Sequence, residues 1–179
     1  MSNRIDTEKI LQLFLEDPQR KYHLREIARL VRYSPTSCAV YLHVLLKKKL
    51  IIHFTERGFS LFKADTDSLL FKEYKKHDTM KKIIESGLLE KLVKTFQEPD
   101  AVLLFGSSAR GEDVKESDID LCVITPVKKE VNLSEFGKVF KKEIQLFNFS
   151  RAKLKENTNK ELINNILNGI VLYGYVDRV

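Results

Sequence analysis

"LLFGSSARGEDVKESDIDLCVIT", residues 103–125, decides how this chain is read. Apolar residues run up to Gly106-Ser107, a polar interval follows, and Asp118 and Asp120 open a second apolar run. An unpaired carboxylate at the head of a buried strand is costly. A positive group is therefore expected beside the two acids, either a lysine or arginine or a metal ion.

"AVLLFG", 101–106, reads as a buried strand, and Gly106 allows a tight turn with backbone amides facing a ligand. Ser107 adds a hydroxyl, and "SARG" begins a short helix whose N-terminus attracts phosphate. "SDIDLCVIT", 117–125, is the next strand, and its alternation puts Asp118 and Asp120 on one face, about 7 Å apart. Two such carboxylates can share divalent ions, which neutralise their mutual repulsion. A phosphate cradle beside an acid pair describes nucleoside-triphosphate chemistry. The chain has no GxxxxGK[ST] phosphate loop and no Cys/His cluster with zinc spacing.

Gly106-Ser107, ten intervening residues and then Asp118-Ile119-Asp120 resemble the GSx10DxD signature of the DNA polymerase β-like nucleotidyltransferase superfamily. Arg110, Gly111 and Ser117 also fit the GSxARG…SDIDL form of its minimal branch, and "INNILNGIVLYG" resembles that branch's C-terminal segment. The resemblance covers roughly residues 85–179. It implies a short mixed sheet and transfer of a nucleoside monophosphate from an NTP to an acceptor hydroxyl, with release of pyrophosphate. It implies that Gly106, Ser107, Arg110 and Ser117 hold the nucleotide. It implies that Asp118 and Asp120 hold Mg²⁺, with two ions expected. Some relatives in the branch are antitoxins that modify a partner toxin, so a protein acceptor stands beside RNA and small molecules.

The superfamily usually carries a third acid on a later strand. Here that strand is "EIQLFNF", 143–149, and the aligned position is Gln145. An amide coordinates Mg²⁺ weakly and is no general base at neutral pH. Glu143, two residues earlier on the same face, either replaces the missing acid as a catalytic residue or is simply solvated at the strand's edge.

Outward from this stretch, the first third has a different pattern. "DTEKILQLFLED" places Ile10, Leu11, Phe14 and Leu15 at helical spacing, and "HLREIARLV" repeats this with Leu24, Ile27, Ala28 and Val31. Ser34 is the expected N-cap and Pro35 the first residue of a third helix, with Val40, Val44 and Leu45 inward. "LIIHFTERGFSLFKA" alternates around a Glu56-Arg57-Gly58 turn. Three helices and a hairpin resemble the winged helix-turn-helix family of duplex-DNA-binding domains over roughly residues 5–65. The resemblance assigns base-edge contacts to Ser34, Thr36, Ser37 and Tyr41 and phosphate contacts to Arg32, Lys47, Lys48, Lys49 and Arg57. The other reading is a unit used for dimerisation or substrate docking.

Charge agrees with a polyanionic partner for this third. Residues 1–65 hold 12 Lys and Arg against 7 Asp and Glu, while the remainder holds 19 against 18. The segment 66–98 reads as two helices broken at Gly87, with a stripe from Leu69 and Leu70 through Ile84 to Phe96, and with Lys75-Lys76 and Lys81-Lys82 facing solvent.

The expected architecture is α+β: a winged helix-turn-helix domain over 1–65, a helical connection over 66–98, and a nucleotidyltransferase domain over 99–179. The N-terminus lacks a signal-peptide pattern, and no apolar run is long enough for a membrane span. Cys38 and Cys122 read as buried thiols, and the expected location is the cytoplasm. A homodimer is left open. Two functions follow: an Mg²⁺-dependent nucleotidyltransferase coupled to a DNA-binding module, or a transcriptional regulator that senses a nucleotide without turnover.

Overall fold

The computed structural model describes residues 2–156 and 158–176, with backbone alone at 2–6 and 155. In chain order it runs α1 (Ser2–Glu16), α2 (Leu24–Val31), α3 (Pro35–Lys47), β1 (Ile51–Glu56), β2 (Phe59–Ala64), α4 (Leu69–Glu85) and α5 (Leu88–Thr95). It continues β3 (Ala101–Phe105), α6 (Gly106–Arg110), β4 (Ile119–Ile124), α7 (Ser134–Phe140), β5 (Ile144–Phe149), α8 (Arg151–Glu156), α9 (Lys160–Leu167) and β6 (Ile170–Gly174). Two compact units result, Met1–Lys75 and Lys76–Val179, so the segment 66–98 is divided between them.

In the first unit the helices begin where the sequence supplies caps. The Ser34 hydroxyl accepts the Ser37 N–H at 3.0 Å, and Pro35 takes the first helical position. Glu26 reaches back to the His23 N–H as half of a capping box on α2. The core is Ile10 and Phe14 of α1, Ile27 and Val31 of α2, and Cys38, Leu42 and Leu45 of α3. Strands β1 and β2 pair antiparallel and turn on Arg57-Gly58, both at positive φ (51° and 81°), as a two-residue hairpin requires. Tyr22 and Phe62 exchange backbone bonds at 2.8 and 2.9 Å, which ties the hairpin to the chain entering α2.

Val40 departs from expectation. It is 58% exposed, and α3 turns Cys38, Leu42 and Leu45 inward instead. Val40, Tyr41 and Val44 line a cleft of about 360 Å³ with Leu11.

The second unit is a three-layer arrangement around a four-stranded sheet ordered β5-β4-β3-β6. The sheet is mixed: β4 and β5 run parallel, and β3 is antiparallel to both of its neighbours. Val102, Leu104, Leu121 and Val123 face Ile83, Leu88, Leu92 and Phe96 on one side. Ala101, Leu103, Phe105, Cys122 and Ile124 face Leu154, Ile163 and Ile166 on the other. Covering on both sides explains why every residue of β3 is buried and why the strand reads as a continuous apolar run. Both cysteines are free and buried, and burial pushes the Cys122 thiol up to about 12. No described helix is long and apolar enough to cross a membrane.

Helix α4 corrects the expected stripe. Its buried positions are Phe71, Lys75, Thr79 and Ile83, four residues apart, whereas Leu69 (80%) and Ile84 (58%) are exposed. Lys75, expected to face solvent, is buried. Several overlapping stripes are available on an α-helix of 3.6 residues per turn; packing, not hydropathy, selects one. Gly87, at φ 79°, separates α4 from α5 as its position suggests.

Leu92→Ala should therefore lower stability in chemical denaturation by about 2–5 kcal/mol, through lost burial and a residual cavity. Leu69→Ala should change it by no more than about 0.5 kcal/mol. Equal effects would contradict this assignment of the faces.

Candidate active site

The site forms where β3 ends against β4. Phe105, the last residue of β3, pairs with Asp120. Gly106 follows at φ 71°, and a Cβ built there would overlap the Asp120 carboxylate oxygen. Any side chain at 106 therefore meets both a left-handed backbone and an occupied position. The chain enters α6 at once and leaves it at Gly111, also at positive φ (69°).

Asp118 directly precedes β4 and Asp120 is its second residue; both are half-buried. The Asp120 pKa is raised, first by burial and then by the negative charge of Asp118, while Arg110 opposes the shift. Arg110 is exposed and paired with Glu112 at 2.9 Å.

In the parallel register Gln145 stands beside Asp120. Its amide nitrogen donates to Asp118 Oδ2 at 2.6 Å. The neutral amide thus supplies part of the positive complement expected beside the acids. Glu143 lies one residue before β5 and is exposed. Its carbonyl accepts the Ile119 N–H at 2.9 Å, and continuing the register by one residue sets it level with Asp118. Its carboxylate has no hydrogen bond or ion pair among the described residues, so it is Gln145 and not Glu143 that touches an acid of the pair.

Other polar residues near the site have structural partners. Ser117 Oγ accepts the Val114 N–H at 2.9 Å and closes the loop before β4. Ser107 is half-buried at the start of α6, and its carbonyl accepts the Glu112 N–H at 3.0 Å. Sequence reasoning missed Ser108, which is 1% exposed and donates its hydroxyl to the Asp118 carbonyl at 3.4 Å. Only the doubled serine hinted at it.

Among the described residues, no three His, Cys, Asp or Glu side chains converge as a metal-binding group. The available donors are the carboxylates of Asp118 and Asp120 and the amide of Gln145. This set fits one divalent cation: burial first and the charge of Asp118 second raise the Asp120 pKa, and a bound cation would favour its ionised form. It is smaller than the donor set expected for two ions.

In the first unit, the residues named for duplex contact separate into groups. Thr36 is exposed, but the Ser34 and Ser37 side chains engage each other at 2.9 Å, and Tyr41 packs partly into the core beside Tyr33. Lys47, Lys48 and Lys49 are exposed at the opposite end of α3, about 17 Å along the helix from Thr36. Arg32 is the left-handed C-cap of α2 and Arg57 sits at the hairpin tip. His43 and Val40 are also exposed on α3, and neither was among the expected contacts.

A family model described as polymerase beta, nucleotidyltransferase matches residues 88–177. The matched half of the chain runs from α5 through β6 and contains every residue of the site just described. Among curated proteins, none matches the chain.

An Asp whose folded pKa is raised favours the folded state while protonated and opposes it once ionised. Asp120→Asn should therefore raise the melting temperature at pH 7 without added metal. The gain should shrink as pH falls below the raised Asp120 pKa towards the ordinary carboxylate value of about 3.9. Thermal melts across pH 3–8 check this; a gain that persists at pH 3 would assign the effect to something other than charge.

Proposed function

Since the chain belongs to the polymerase beta nucleotidyltransferase family, we propose that it is an Mg²⁺-dependent nucleotidyltransferase moving an NMP from an NTP to an acceptor hydroxyl of a protein, RNA or small molecule. Its first unit is a winged helix-turn-helix module for duplex DNA. The observation that carries the catalytic reading is the approach of Gly106 to Asp120, with Asp118 alongside. A glycine turn is thereby pressed against an acid pair, which brings backbone donors for phosphate next to donors for a cation.

In this reading Gly106 and Ser107 hold the triphosphate and exposed Arg110 assists. Mg²⁺, held by Asp118 and Asp120, would draw negative charge from the phosphate oxygens. The acceptor oxygen attacks the α-phosphorus, the bond to the β-phosphate bridge breaks, and pyrophosphate leaves. Gln145 cannot take the acceptor's proton at neutral pH, so that role falls to Glu143. The second reading, a nucleotide-sensing regulator without turnover, is favoured by the bond from Gln145 to Asp118 at the place of the family's third acid.

Labelled NTP with Mg²⁺ and a cell lysate separates the two. Label on any acceptor supports transfer; bound nucleotide without released pyrophosphate supports sensing. Asp118→Asn and Asp120→Asn should each abolish Mg²⁺-dependent NTP binding, measured by calorimetry, and unchanged affinity in both would refute the site. Glu143→Gln should lower turnover by about 10²-fold or more while NTP binding stays near wild type.

Duplex binding by the first unit should weaken steeply with salt through counterion release, and replacing Lys47, Lys48 and Lys49 together should flatten that slope by up to about three units. Absence of binding to any duplex at low salt would move the module to docking or dimerisation.

A further inference from the structure

The interval between the glycine turn and the acid pair is fastened to the entrance of β5 by a buried charge. Asp113, in the loop after α6, has a side chain only 2% exposed. Lys142, two residues before β5, is 11% exposed and brings its ammonium within 2.5 Å of Asp113 Oδ2. The same ammonium donates to the Val114 carbonyl at 2.7 Å. That carbonyl also receives the Ser117 N–H at 3.1 Å, and the Val114 N–H returns to Ser117 Oγ. Lys142 thus grips the turn that delivers the chain into Asp118.

The lysine is itself aimed by its surroundings. Lys141 takes a left-handed conformation (φ 54°) at the end of α7, and the Lys142 N–H caps the Gly137 carbonyl at 3.2 Å. A Cβ on Gly137 would sit 3.2 Å from the Lys142 carbonyl oxygen, so the glycine leaves the room this turn needs. Two further links join the same segments at the site: Ile119 N–H to the Glu143 carbonyl, and Gln145 to Asp118.

A buried ion pair is weak evidence for stability, because apolar residues of similar volume often serve as well. What an ammonium shared between a carboxylate and a carbonyl adds is geometry, since both acceptors must hold their directions. We propose that Lys142 is a positioning residue: through Asp113 and Val114 it sets the loop 113–117 so that Asp118 stands beside Asp120 and Gln145 in cation-binding geometry. The inference rests on the reading of Asp118 and Asp120 as the cation-binding pair.

The test uses the full chain with Asp113→Leu/Lys142→Met, which removes both charges and leaves none buried alone. Its readouts are Mn²⁺ affinity by electron paramagnetic resonance and amide exchange at Ser117 and Ile119 by NMR. The double variant should fold, exchange faster at those two amides but not in β3, and bind Mn²⁺ about 10–100-fold more weakly, the usual scale for residues that orient metal ligands. Wild-type Mn²⁺ affinity in the folded double variant overturns the proposal. If the double variant does not fold, Lys142→Arg keeps the charge but changes the donor geometry; weakened Mn²⁺ binding then supports positioning and unchanged binding overturns it. If the wild-type chain binds no Mn²⁺, the proposed function fails, and the exchange at Ser117 and Ile119 alone decides whether the ion pair orders the loop.

Discussion

The close approach of Gly106 to the Asp120 carboxylate is the constraint on which the second unit turns. It constrains how β3 ends, because a side chain at 106 would need a left-handed backbone and would displace the Asp120 carboxylate. It fixes the pairing of β3 with β4, because Phe105 has to lie opposite Asp120. It also fixes the start of α6, whose inward Ser108 then reaches the Asp118 carbonyl. A slip of one residue in this register would turn both acids to the other face of the sheet.

Electrostatics at this junction is unfinished in a way that suits a cation. Two acids share a half-buried edge, and burial together with their repulsion disfavours ionisation of Asp120. The protein answers with modest means: an exposed arginine already paired with Glu112, and one neutral amide. Among the described residues, no fully buried cation stands against the pair; the largely buried ammonium of Lys142 pairs with Asp113 instead. Strain of this kind is common where binding, not folding, is the use of the residues. Gln145 is the departure that separates the two functional readings, since it bonds to an acid as a donor and cannot accept a proton as a base.

The first unit is held by different forces. Its core is an ordinary convergence of helix faces, and its hairpin is fastened by the Tyr22–Phe62 exchange. Its exposed polar side chains are partly committed: Ser34 caps α3, and Lys21 pairs with Glu56 near the hairpin tip. Positive charge stays exposed at Arg25, Arg29 and Arg32 of the α2 region as well as at the C-terminal end of α3 and at Arg57; of the expected duplex-contact set, Arg32 stands two residues before Ser34, while Lys47, Lys48 and Lys49 lie at the far end of α3.

The sequence by itself determined the glycine turn, the acid pair and the two apolar strands that flank them, because apolar runs broken by Gly106 and Asp118 admit few arrangements; the sheet order β5-β4-β3-β6 came only with the tertiary structure. It determined the Ser34 cap, the Arg57-Gly58 turn and the break at Gly87, since these depend on residues within one turn of each other. It did not determine which stripe of α4 is buried, where Val40 points, or that Lys142 reaches Asp113. Those choices depend on partners 29 residues away, as for Lys142 and Asp113, or on which of several similar helix faces a core accepts. The parallel register of β4 with β5 belongs to the same class: only the closed sheet sets Gln145 beside Asp120 and brings its amide to Asp118. Local geometry is written in neighbouring residues, whereas packing and long-range pairing are settled only when the whole unit closes.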